Sequence, residues 1–154
     1  MISKPRLFII SGIPGSGKTT LARKLKRHIE LYYHNPGKVN HYEADMFFTD
    51  ESGNYNFNPY ALQEAHEWCQ NMVKESVCSG HYTIVANTFL KPEWRKFYFD
   101  LARKYAIPVK FFHCTGEFNN VHGVPADRVE KMKSEWVEIT GKEIEGVTFI
   151  YKEV

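Results

Sequence analysis

The stretch from Phe8 to Leu25, FIISGIPGSGKTTLARKL, constrains the fold more than any other. A short, β-branched apolar run ends on glycine, as a buried strand does. The loop that follows opens into an amphipathic pattern with Leu21, Leu25 and Ile29 at helical spacing. Gly12-Ile13-Pro14-Gly15-Ser16-Gly17-Lys18-Thr19 matches GxxxxGK followed by Ser or Thr, the Walker A pattern. Glycines let the backbone turn its N–H groups toward one point, and the helix N-terminus adds partial positive charge there. Gly12, Pro14, Gly15, Ser16, Gly17, Lys18, Thr19 and Thr20 are therefore expected to bind a nucleotide. Lys18 is expected to bridge the β- and γ-phosphates, and the Thr19 hydroxyl to ligate Mg²⁺.

The rest of the chain alternates in the same way. Strands are expected over Arg6–Ser11, Lys38–Asp45, Tyr82–Thr88 and Ile107–Cys114, with a last one in VTFIYKEV. Between them lie helical patterns: one from Asn58–Pro59 through Val77, one opening at Pro92, and one carrying Val129, Met132, Trp136 and Ile139 up to Gly141. Alternating strands and helices imply an α/β fold, a parallel sheet covered on both faces. At 154 residues the expectation is one domain over 1–154, without repeat, linker or low-complexity tract.

Composition narrows the surroundings. Hydrophobic residues make up 43% and charged residues 25%, ordinary values for a water-soluble globular protein. No apolar run approaches the ~20 residues of a membrane span, and no secretory leader pattern appears. Cys69, Cys78 and Cys114 include no CxxC pair, so reduced thiols in the cytoplasm are expected. The net charge of +2 permits a nucleic-acid partner without demanding one.

Ligands of open parallel sheets bind outside the carboxyl ends of the strands. Alternation along the second strand puts Glu43 and Asp45 on one face, with Asp45 nearer that end. Asp45 is thus the candidate general base for a hydroxyl attacking the γ-phosphate; a loop cap or a partner of bound magnesium is its other reading. Asn87 ends the third strand, where many such proteins carry an aspartate; it suits positioning a water or a side chain, or a turn. Arg95 stands at the start of the next helix as a candidate contact for an anionic substrate or a solvated charge. The loop after Asp45 is aromatic, and Phe47, Phe48, Tyr55 and Phe57 are candidate base-stacking residues, two or more aromatics there being expected to anchor the loop instead.

With Asp45, NTFLKPEWR and HGVPADRVEKMKSEW in place beside the Walker A loop, the chain resembles the polynucleotide-kinase-like P-loop kinases, small bacteriophage members included. That resemblance covers most of the chain. It implies a three-layer fold with strand order 2-3-1-4-5, ATP and Mg²⁺ as cofactors, and phosphoryl transfer to a nucleic-acid hydroxyl. The acceptor implied is a nucleic acid, DNA being favoured, at a five-prime hydroxyl end or at the hydroxymethyl group of a modified uracil in DNA, and the protein is expected as a monomer. It carries the base role onto Asp45 and acceptor support onto Asn87. Such kinases usually place arginines in a lid before the last helix, and between Lys110 and Arg128 this chain has none. His122 and Arg128 are the candidates to neutralise the transferring phosphoryl group. A small-molecule kinase and a nucleotide-hydrolysing switch without acceptor remain alternatives.

Overall fold

The computed structural model describes residues 4–118 and 123–154. Five parallel strands form one sheet in the order β2-β3-β1-β4-β5. They run over Leu7–Ser11 (β1), Val39–Tyr42 (β2), Tyr82–Ala86 (β3), Val109–His113 (β4) and Phe149–Glu153 (β5). Helices α1 (Lys18–Tyr32), α2 (Leu62–Cys78), α3 (Pro92–Tyr105) and α4 (Ala126–Ser134) fill the connections. The expected α/β class and strand order are both observed.

Strand alternation sorts the core into two layers. Leu7, Ile9, Val85, Val109 and Phe111 pack with Ala65, Cys69 and Val73 of α2 and with Tyr98, Phe99 and Ala102 of α3. On the other face Phe8, Ile10, Ile84, Ala86 and Phe112 meet Ala22 and Ile29 of α1. Because β1 is buried on both faces, nearly every residue in it is apolar. Ser11 is its polar exception, fully buried, with its hydroxyl 2.8 Å from His113 Nδ1. Among the described residues no helix is long and apolar enough to cross a membrane.

Two boundaries differ from the sequence expectation in ways that matter. The second strand ends at Tyr42, and the chain winds into a 3-10 helix over Ala44–Phe48. Asp45 therefore sits in a helical turn, where strand alternation no longer governs its direction. The last helix stops at Ser134; Trp136 and Ile139 belong to an irregular segment that packs on the core. A tertiary contact explains this stop: the Val137 N–H donates to the Leu90 carbonyl at 2.8 Å, a bond that continued helix would forbid.

The same segment corrects the reading of Arg95. Its side chain is fully buried and holds Glu143 through two hydrogen bonds, Nε at 2.7 Å and Nη2 at 3.1 Å. Its Nη1 donates to the carbonyls of Phe89 and Val137, and the guanidinium lies 5.1 Å from the Trp136 ring centre. Every face is committed, so no substrate reaches it. Arg95 instead clamps α3 to the chain between α4 and β5. Since removing one member of a buried pair strands the other, Arg95→Ala should lower stability by about 3 kcal/mol or more. For a chain of this size that is roughly a 6–12 °C fall in Tm. Thermal unfolding checks this; an unchanged Tm would return Arg95 to the substrate surface.

Candidate active site

The glycine loop leaves β1 and enters α1 through backbone that side chains resist. Gly15 and Gly17 have φ of 82° and 96°, in the left-handed region that favours glycine. Gly12 is held by crowding: a Cβ there would lie 2.2 Å from Ser16 Oγ and 2.9 Å from the Cys114 carbonyl. The loop is thus folded down onto the end of β4, and its concave side faces a cleft of about 1870 Å³. Pro14, Gly15, Ser16, Gly17, Thr19 and Thr20 all line that cleft. The Ser16 hydroxyl itself is buried, with no hydrogen-bond partner among the described residues. Lys18 curls back, its ammonium donating to the Ile13 carbonyl at 3.0 Å. Burial pulls its pKa below the usual lysine value, and the negative charges of Glu43 and Asp45 oppose that pull.

Glu43 is the site residue that alternation undervalued. It is almost fully buried, accepts the Thr19 hydroxyl at 2.8 Å and lies 2.6 Å from His41 Nε2. The carboxylate and the hydroxyl form an oxygen pair suited to a hard divalent cation, which phosphate oxygens and water would complete. Among the described residues no group of three or more His, Cys, Asp or Glu gathers to hold a metal. The sequence signal was there, since Glu43 alternates with His41 at the carboxyl end of the strand.

Asp45 lines the cleft with Glu43 and Lys18. The Tyr55 hydroxyl donates to its Oδ1 at 3.4 Å, a long bond, and desolvation together with the Asp45 charge pushes the Tyr55 pKa up to about 12. Asn87 is near but does not face the cation pair. Its Oδ1 accepts the Ala44 N–H at 2.9 Å, and its Nδ2 points at Cys69 Sγ. It therefore pins the start of the 3-10 helix that carries Asp45.

The aromatic candidates divide. Phe48 is buried in the core and does not offer a face to a base, which corrects that expectation. Phe47 packs on Phe48 and Trp68. Tyr55 reaches the cleft wall, accompanied by Phe57, Leu62 and His66 on one side and Trp94 on another. Trp94 escaped sequence reasoning because its helical spacing reads as core, yet it stays 45% exposed. Arg128 and Lys131 of α4 also line the cleft. His122 lies outside the described residues.

Against this geometry the comparisons can be set. Residues 7–117 match the family described as an AAA domain. The chain belongs to that family. Its AAA domain is 33% identical over 136 residues to NEDD4-binding protein 2 of Homo sapiens, covering 82% of this chain and 7% of that protein. It is 26% identical over 143 residues to a gluconokinase of Gluconobacter oxydans (strain 621H), covering 87% of this chain and 69% of the relative. Among solved structures, one chain of the Pnkp1/Rnl/Hen1 RNA repair complex superposes with a TM-score of 0.54 at 17% identity, over 94% of this chain and 43% of that one. The AAA domain here thus has a P-loop kinase-like fold, and it spans only a small part of NEDD4-binding protein 2.

The site also sets thiol reactivity. Cys114 and Cys69 are buried, and burial raises both thiols, Cys69 to about 11. Cys78 is exposed at the end of α2. A native sample should therefore label once with a maleimide, at Cys78, and three times only after unfolding; peptide mass mapping reads the difference.

Proposed function

We propose that this AAA domain is an ATP-dependent phosphotransferase that moves the γ-phosphate to a hydroxyl of a nucleic acid, DNA being the favoured acceptor. The observation that carries the reading is the placement of Asp45 in the same cleft as the glycine loop, beside Lys18. A hydrolase needs only to position water. A transferase needs a base on the acceptor side and room for the acceptor. The cleft, about 1870 Å³, exceeds the ~300–1,000 Å³ of ordinary small-ligand pockets.

In this reading the loop amides and Lys18 hold the β- and γ-phosphates and spread the charge that develops during transfer. Thr19 and Glu43 hold Mg²⁺, which supplies further charge neutralisation when bound. Asp45 accepts the proton of the acceptor hydroxyl, and Tyr55 orients its carboxylate by donating to Oδ1. Asn87 keeps Asp45 in place through the Ala44 N–H. Arg128 of α4, which lines the cleft, meets the transferring group where the lid lacks arginine. Tyr55, Phe57 and Trp94 give the acceptor mouth aromatic faces on which an unstacked base can lie.

The gluconokinase likeness favours a second reading, a kinase for a small polyhydroxylated acceptor. The two separate in one assay. With γ-labelled ATP and magnesium, single-stranded DNA with a five-prime hydroxyl, DNA with an internal hydroxymethyluracil, a matching RNA, gluconate and free nucleosides are offered in parallel. Label on a DNA oligonucleotide, at least about tenfold above gluconate and nucleosides, is the expected result. Label confined to a small molecule would establish the second reading, and release of phosphate with no labelled acceptor would overturn both.

A further inference from the structure

Phe118 follows β4 and is 72% exposed, an unusual state for a phenylalanine so close to the glycine loop. It is nonetheless held firmly. Its backbone N–H donates to the Gly15 carbonyl at 2.7 Å, tying it to the loop. Two glycines are trimmed to its shape. A Cβ on Gly116 would come within 2.5 Å of the ring and 2.8 Å of the Ser16 carbonyl, and one on Gly17 within 3.2 Å of the ring. A ring that merely covered the loop would bury most of its surface; this one keeps most of it free, in the wall of the cleft.

Topology says what lies against it. Asp45 follows β2, two strands to one side of β1, whereas Phe118 follows β4 on the other side. Phosphoryl transfer proceeds roughly in line, so the leaving group departs away from the attacking hydroxyl. If Asp45 receives the acceptor's proton, the β-phosphate and the nucleoside behind it extend toward the β4 side. Gly116, which follows β4, and Val154, which follows β5, line the cleft there with Phe118.

We propose that Phe118 is the stacking platform for the base of the nucleotide donor. The inference rests on the phosphotransferase reading for the side on which the donor lies, but equilibrium binding tests it without transfer. A π-face stacks on any base, so ATP and GTP should depend on the ring alike. Tripolyphosphate carries the phosphates without a base and serves as the control.

The test measures dissociation constants by calorimetry for ATP, GTP and tripolyphosphate, each with magnesium. The wild type is compared with Phe118→Ala and Phe118→Trp. Loss of one base-stacking partner corresponds to about a tenfold weakening. Phe118→Ala should therefore weaken ATP and GTP about tenfold and leave tripolyphosphate within twofold. Phe118→Trp should restore nucleotide affinity and report binding by quenched indole fluorescence. Unchanged ATP and GTP affinity in Phe118→Ala would overturn the inference while leaving the phosphotransferase reading intact. An equal loss for tripolyphosphate would also overturn it, by showing that the ring only shapes the loop. A wild type that binds tripolyphosphate but gains nothing from the base would overturn it as well. A wild type that binds none of the three would remove both this inference and the reading beneath it.

Discussion

The site depends on the close approach of Gly12 to the end of β4. Ser16 Oγ and the Cys114 carbonyl occupy the space that any side chain at position 12 would need. That contact folds the loop over the carboxyl end of the sheet, where Gly15 and Gly17 can take left-handed backbone and Lys18 can begin α1. It also couples the loop to the segment after β4, through the Phe118 N–H on the Gly15 carbonyl. Sheet order then does the rest: β1 lies centrally, so the ends of β3 and β4 flank the loop and the end of β2 lies one strand further out.

Much of this was legible in the sequence because it rests on local rules. The loop, its flanking strand and helix, and the alternation of elements are periodic or glycine-dependent, and neighbours in sequence decide them. What failed was decided by partners far along the chain. Arg95 looks like a surface charge on an amphipathic helix, but Glu143 and the Val137 carbonyl, more than forty residues away, claim its guanidinium. The last helix looks three turns long until Val137 turns to bond Leu90. Phe48 and Phe47 illustrate a milder case: an aromatic loop was expected to donate some rings to the core, and Phe48 enters it among Phe47, Tyr55 and Phe57 while Phe47 stays partly exposed.

The carboxylates show how a local rule can lapse within two residues. Alternation was to set Glu43 and Asp45 side by side, yet the strand ends before either of them. The 3-10 helix separates their tasks. Glu43 turns inward to Thr19 and His41, whereas Asp45 stays at the cleft with Tyr55. One carboxylate meets the loop hydroxyl and the other lines the open cleft, a division that the proposed transfer would use. Asn87 gains its part in the same way, by holding the Ala44 N–H between the two.

The central claim is that Asp45 serves chemistry and not nucleotide binding, and Asp45→Asn tests it most directly. The exchange keeps the size of the side chain and its ability to accept from Tyr55 while removing the base. In a γ-labelled transfer assay the rate should fall by roughly 10²–10⁴-fold, while the dissociation constant for ATP, measured separately, stays within about threefold. Transfer at the wild-type rate, or a loss of ATP binding that accounts for the whole fall, would contradict the account.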